Sequence, residues 1–131
     1  MTTLEIGIVT DAADRLVAFY RDGFGFSVER SLTFPQGTVH RLRCGQARCK
    51  IFQPESGAEH RPPAEPWHRY RGIGYGALHV DDAEATVLAA VAAGATVVMP
   101  VTSHRPGARA ALLADPDGNV WEVLEEPADD P

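Results

Sequence analysis

Leu4-Glu5-Ile6-Gly7-Ile8-Val9 alternates apolar residues with small or polar ones and runs into Asp11. Leu16, Phe19, Tyr20 and Gly23 follow at helical spacing, and Phe24-Gly25-Phe26-Ser27-Val28 returns to an extended pattern. The stretch reads as strand, helix, strand. Asp11 suits the N-cap with Asp14 at N3, and Gly23 suits the C-cap. The same order then recurs. Val9 reappears as Val80, Asp11 as Asp82, Ala12 as Ala83, Ala18 as Ala89 and Gly23 as Gly94, at a constant offset of 71. Tyr75 to Val80 is the matching strand, and Ala83 to Ala93 the matching helix with Val87, Leu88 and Val91 as its apolar face. Val97 to Met99 is the matching return strand. Five matches in one register argue for an internal duplication.

Each half continues with a hairpin. Thr38 to Cys44 and Arg48 to Gln53 flank a turn at Gly45-Gln46; Arg109 to Ala114 and Asn119 to Leu124 flank Asp115-Pro116-Asp117-Gly118, a strong turn signal. Each half is therefore β-α-β-β-β, and the fold class is α+β. Residues 3–53 form module one, 54–72 a linker with four prolines, 73–125 module two, and 126–131 an acidic tail that reads as frayed. Residues 1–131 are expected to make one domain.

Charge narrows the partners. The chain has 131 residues, 44% of them hydrophobic, and a formal net charge of -6. That sign speaks against a general nucleic-acid partner. No apolar run is long enough to span a membrane, no signal peptide is visible, and two cysteines do not make a disulfide framework. A cytoplasmic location is the expectation. There is no CxxC, HExxH, GxGxxG or P-loop. One stretch is anomalous. Between Arg30 and Pro54 there is no Asp or Glu, but there are Arg30, Arg41, Arg43, Arg48 and Lys50, the chain's only lysine.

Two βαβββ modules in one short chain, with Ala18-Phe19-Tyr20-Arg21-Asp22-Gly23-Phe24-Gly25-Phe26, Ala93-Gly94-Ala95 and Asp115-Pro116-Asp117-Gly118-Asn119 followed by Glu122, resemble the vicinal oxygen chelate superfamily. That superfamily includes glyoxalase I, bleomycin- and fosfomycin-resistance proteins and extradiol dioxygenases. The resemblance covers about residues 4 to 125. It implies a cupped mixed sheet, and in metal-dependent members two ligands per module, one from the first strand and one from the last. Aligned on Val9 and Val80, those positions fall at Leu4, Lys50, Tyr75 and Glu122. Only Glu122 is a residue the family uses to hold metal. One carboxylate beside a lysine does not make a site that needs three or four donors. No metal and no cofactor are expected. His79 stands four residues along from Tyr75, about 13 Å at the rise of a strand. His40 falls on the face opposite Lys50, and His60, His68 and His104 sit in loop-like segments.

Alternation assigns the rest of the cup. Leu4, Ile6 and Ile8 share the ligand face of the first strand; Tyr75, Ala77 and His79 share that of the fifth; Val120, Glu122 and Leu124 share that of the last. A two-residue turn at Gly45-Gln46 puts Arg41, Arg43, Arg48, Lys50 and Phe52 on the cup side, with Leu42, Cys44, Cys49 and Ile51 facing the helix. The basic face is either simply wet or an anion-binding wall of forked donors. Lys50 and Glu122, at the two last-strand positions, either pair or are solvated separately. Cys44 and Cys49 are expected to be two buried thiols. Trp67, His68, Arg69, Tyr70 and Arg71 either anchor the linker or rim the cup.

The leading functional expectation is metal-independent binding or sequestration of a small anionic or aromatic molecule, as in bleomycin-resistance-type relatives. The alternative is a metal-free isomerase or lyase with Glu122 as general base and Tyr75 or His79 as proton donor. A second alternative is a metal-dependent glyoxalase-like lyase with a site away from the aligned positions. Family habit implies a homodimer, and no nucleic-acid or membrane partner is expected.

Overall fold

The computed structural model describes residues 1–127 of the 131. The chain divides into two compact units, Met1–Arg61 and a second that starts at Pro62. The end of the linker, including Trp67, therefore belongs with module two. Of the tail expected to be frayed, residues 128–131 lie outside the described residues.

Module one runs β1 (Ile6–Val9), α1 (Ala13–Phe24), β2 (Ser27–Phe34), β3 (Gly37–Cys44) and β4 (Ala47–Pro54). Module two runs β5 (Gly76–His79), α2 (Ala83–Ala92), β6 (Thr96–Arg105), β7 (Ala108–Ala114) and β8 (Val120–Glu125). Each makes its own four-stranded mixed sheet, ordered β1-β4-β3-β2 and β5-β8-β7-β6, with the first and last strands parallel. The two-residue turn at Gly45-Gln46 pairs Cys44 with Ala47 and sets the whole register of β3 on β4. His104 belongs to β6 and not to a loop, and its side chain lies outside the described ones.

Helix α1 buries Leu16, Phe19, Tyr20 and Gly23 against its sheet, the spacing of one helical face. Phe19, Tyr20, Phe24 and Phe26 pack edge to face, with centroids 5.2 to 6.0 Å apart. The helix ends later than Gly23 suggests. Gly25 takes the left-handed conformation at φ 80°, and Phe26 N–H returns to Tyr20 C=O at 3.0 Å. Its start also differs. Asp11 is not the cap: Ala12 holds that position without a side-chain bond, and Gln53 Oε1 of β4 accepts from Ala13 N–H at 2.8 Å. In module two Asp82 does cap, accepting from Ala85 N–H at 3.1 Å, while Glu125 Oε1 of β8 accepts from Ala83 N–H at 2.9 Å. Each helix is thus stitched at its first turn to the last strand of its own module.

Helix α2 keeps only part of the expected apolar face: Val87 is half-buried, between Ala83 and Ala90 at helical spacing. Ala83 and Ala90 are buried, whereas Leu88 is 72% and Val91 45% exposed. Eight of its ten residues are Ala, Val or Leu, so apolar spacing cannot tell its inner face from its outer one. Ala83, Val87 and Ala90 share the face toward the sheet. Among the described residues, no helix is long and apolar enough to cross a membrane.

Candidate functional site

The sheet register decides which side chains lie opposite the helices. In module one β1 pairs Ile6 with Cys49, Gly7 with Lys50 and Ile8 with Ile51. Paired residues share a face. Ile6 and Ile8 therefore turn toward α1 with buried Cys49 and Ile51, and not toward the expected cup. Leu4 precedes the strand and is 79% exposed. The face away from α1 carries Glu5, Gly7 and Val9. The error is a slip of one residue. Gly7 stands beside Lys50 as Ala77 stands beside Glu122, so the first strands correspond at an offset of 70 and not 71. A slip of one flips every side chain. The residue equivalent to Tyr75 is Glu5.

The hairpin of module one pairs as expected, but Cys44, expected to be buried, is exposed because it sits at the turn end of the ladder. Arg41 pairs with Lys50, Arg43 with Arg48 and Val39 with Phe52, all away from α1, while Leu42 pairs with Cys49 on the buried side. Both cysteines are thiols, Cys49 buried and Cys44 exposed. Glu5 Oε2 lies 3.8 Å from Arg41 Nη2, and Glu5 Oε1 lies 4.0 Å from Lys50 Nζ. Lys50 thus has a carboxylate within its own module. Glu29 pairs with Arg43 at 3.0 Å. A shallow cleft of about 270 Å³ opens here between Glu5, Glu29, Arg30, Arg41, Arg43 and Arg48.

Module two is chemically different. Its face away from α2 holds a hollow of about 330 Å³ lined by Trp67, Tyr75, Met99, Thr102, Ala110, Ala111, Leu112 and Glu122. Ladder pairing explains the set: Met99 pairs with Leu112, Leu112 with Glu122 and Glu122 with Ala77, in one row across all four strands. Thr102 and Ala110 begin the next row, which continues to Leu124 and His79. Trp67 closes one end, edge to face with Tyr75 at 5.4 Å. The linker aromatic therefore both anchors and rims. Trp121 and Val123 point the other way into the core, as alternation requires. Gly76 makes that packing possible, because a Cβ there would lie 2.4 Å from the Trp121 ring.

The structure thus brings Tyr75 and Glu122 into one hollow. His79 is largely exposed and faces Glu126 at 3.4 Å, and Leu124 lies beyond Ala110 in the second row; neither is among the lining residues. Met99, Thr102 and Leu112 were missed. The pairing rule of the first hairpin does not find them: an odd-sum register would set Leu112 opposite Trp121, whereas Ala114 pairs with Val120 and so Leu112 with Glu122. Glu125, beyond the hollow, is bound in a bidentate pair to Arg109 at 2.8 and 3.2 Å, and Arg109 also faces Asp82 and Glu84. The hydrogen bond from Arg109, then that from Ala83 N–H, holds the Glu125 carboxyl below the usual range, and the pair raises Arg109.

Residues 3–123 match the Glyoxalase/Bleomycin resistance protein/Dioxygenase superfamily. The chain belongs to that superfamily. The protein named "Putative glyoxylase CFP32" in Mycobacterium tuberculosis and in Mycobacterium bovis is 32% identical over 123 residues, 90% of this chain. This chain spans 41% of the length of those curated relatives. Among solved structures, SMU.1112c is 26% identical, with a TM-score of 0.75, over 95% of this chain and 98% of that one. A glyoxalase family protein from Bacillus cereus reaches a TM-score of 0.81 at 16% identity, over 96% and 95% of the two chains. A glyoxalase I mutant from Zea mays reaches 0.79 at 19% identity, over 97% of this chain and 45% of that one. The last two establish a shared fold.

Metal-dependent members of this superfamily prompt a test of fit. With the register corrected, the family positions carry Glu5, Lys50, Tyr75 and Glu122. In module one the single carboxylate already faces two cations, Arg41 and Lys50, where a divalent ion would need bare donors. In module two a phenol accompanies the single carboxylate. Among the described residues, no three His, Cys, Asp or Glu side chains gather as a cluster. The residues at these positions do not fit a divalent cation.

Proposed function

We propose that the protein binds a small aromatic molecule in the module-two hollow without a metal, as a sequestering member of its superfamily. One observation carries this reading: Trp67, Tyr75, Met99 and Leu112 form apolar and aromatic walls around a single carboxylate, Glu122. Pockets of this kind take up ligand through apolar area and orient it through a few polar groups. Here Trp67 and Tyr75 offer ring faces and edges, and Glu122 accepts a hydrogen bond from a ligand hydroxyl or amine. Among the described residues no cation lines the hollow, so of the two ligand chemistries expected from the sequence it supports the aromatic one.

Equilibrium dialysis of chelator-treated protein against 2-naphthol tests this reading. The expected result is saturable binding, with the ligand recovered unchanged. Trp67→Ala removes one aromatic wall, about 1 kcal/mol, and should weaken binding several-fold. Binding that appears only when Zn, Ni, Mn or Fe is added back would contradict the proposal.

A second reading rests on Glu122 and Tyr75 sharing the hollow. A carboxylate and a phenol on one ligand are the parts of a metal-free isomerase or lyase, the first removing a proton beside a carbonyl and the second supplying one. Turnover lost in Glu122→Gln with binding retained marks this case. We also propose a homodimer. The curated relatives are more than twice the stretch this chain matches, which leaves them room for a second such unit in one chain. Sedimentation at twice the chain mass checks it.

A further inference from the structure

The cleft of module one has a different chemistry, and nothing in the reading of the module-two hollow uses it. Strand register places cations directly opposite one another. Arg30 of β2 pairs with Arg41 of β3, which pairs with Lys50 of β4; in the next row Arg43 pairs with Arg48. Like charges directly opposite across a ladder are unfavourable, and here three such pairs stand side by side. A break in the β2–β3 register between Val28 and Arg30 adds to the crowding, since Glu29 and Arg30 both line the cleft.

Internal carboxylates answer only part of this charge. Glu29 holds Arg43, and Glu5 stands between Arg41 and Lys50. Among the described residues, no carboxylate forms an ion pair with Arg30 or Arg48. Four guanidiniums and two carboxylates line the cleft, which leaves two positive charges. The two paired arginines are pre-oriented and retain donors, because one carboxylate cannot occupy all five guanidinium N–H groups. The cleft, at about 270 Å³, falls just below the range of about 300–1,000 Å³ usual for drug-sized ligands. It suits a compact oxyanion or a charged head group.

We propose that this cleft is a binding site for a dianionic phosphate group, free or as a monoester, with Arg30 and Arg48 as its primary donors. Forked guanidiniums match phosphate oxygens two at a time, and a charge of -2 cancels the surplus of the wall. A monoanionic carboxylate answers half of it and has fewer oxygens to bridge the rows.

Calorimetric titration of the full chain with inorganic phosphate tests the site, at pH about 7.5 and low ionic strength so that screening is weak. Acetate serves as the comparison ion. Phosphate should bind at least tenfold more tightly than acetate. Arg48→Gln and Arg30→Gln should each weaken phosphate at least fivefold, and the double variant should abolish measurable binding. Melting in phosphate-free buffer should leave Tm of Arg48→Gln at or above that of the unaltered chain, because the substitution relieves the repulsion with Arg43. Affinity for 2-naphthol should be unchanged in both variants, so failure of one site is read apart from failure of the other. Equal affinity for phosphate and acetate, or unaltered phosphate binding in both single variants, would overturn the proposal.

Discussion

Glu125 accepts from the first turn of α2 and from both arms of the Arg109 guanidinium at once. Its folded-state pKa lies below the usual carboxylate range, so the unfolded chain binds the proton more readily. The stabilisation is present in full above that range and is lost as pH falls through the depressed value. Glu125→Gln keeps an acceptor for Ala83, as Gln53 does for Ala13 in module one, but loses the ion pair. It should lower the urea midpoint at pH 7, and the gap from the unaltered chain should close as the pH drops below the carboxylate range. A gap that stays constant with pH would contradict this assignment. Glu125 carried no sequence signal of its own, since its partner Arg109 lies sixteen residues away in the chain. Glu5 shows a different blindness. Alternation in Leu4 to Val9 was legible, but which of its two faces is inward was not, because both contain apolar residues. Only the pairing of Gly7 with Lys50 settles it.

Helices and strands differed in how much their local sequence revealed. Helix α1 mixes charge with Leu16, Phe19 and Tyr20 at helical spacing, so its inner face could be read directly. Helix α2 lacks such contrast, and of its expected apolar face Leu88 and Val91 turned outward while Val87 stayed half-buried. Substitution sharpens the comparison. Leu16→Ala should cost about 2–5 kcal/mol in urea unfolding, whereas Leu88→Ala should stay within about 0.5 kcal/mol. Comparable losses at both would mean that Leu88 is covered in solution. The first hairpin was legible to the residue because a two-residue turn fixes pairing. The same logic fails in β7 and β8, where five residues, 115–119, separate the paired Ala114 and Val120; that odd count, not the four-residue turn the sequence suggests, sets Leu112 opposite Glu122. There Asp115 Oδ1 accepts from the N–H groups of Asp117 and Asn119, both at 2.9 Å. Strand β5 admits little change. Gly76→Ala should cost about 1–3 kcal/mol, as an added methyl must displace the buried Trp121 ring. An unchanged urea midpoint would show that the ring can move aside.

The two modules share one topology and carry opposite chemistries. Module one gathers cations around Glu5 and Glu29, and module two gathers aromatic and apolar side chains around Glu122. The superfamily could be read from the repeated module and the Asp115-Pro116-Asp117-Gly118-Asn119 turn, because these features make the fold. The ligand could not be read there, since it depends on side chains drawn from several strands and from Trp67 in the linker. The central claim is that the module-two hollow binds an aromatic molecule unaided by metal. Trp67 lies in its wall and reports on it directly. The decisive measurement is a fluorescence titration with 2-naphthol, run on chelator-treated protein and again after adding Zn, Ni, Mn or Fe, with Trp67→Phe to identify the reporter. Equal affinity in both states, with the signal lost in Trp67→Phe, is the expected result. Binding that requires the added metal, or a signal that persists unchanged without Trp67, would contradict the account.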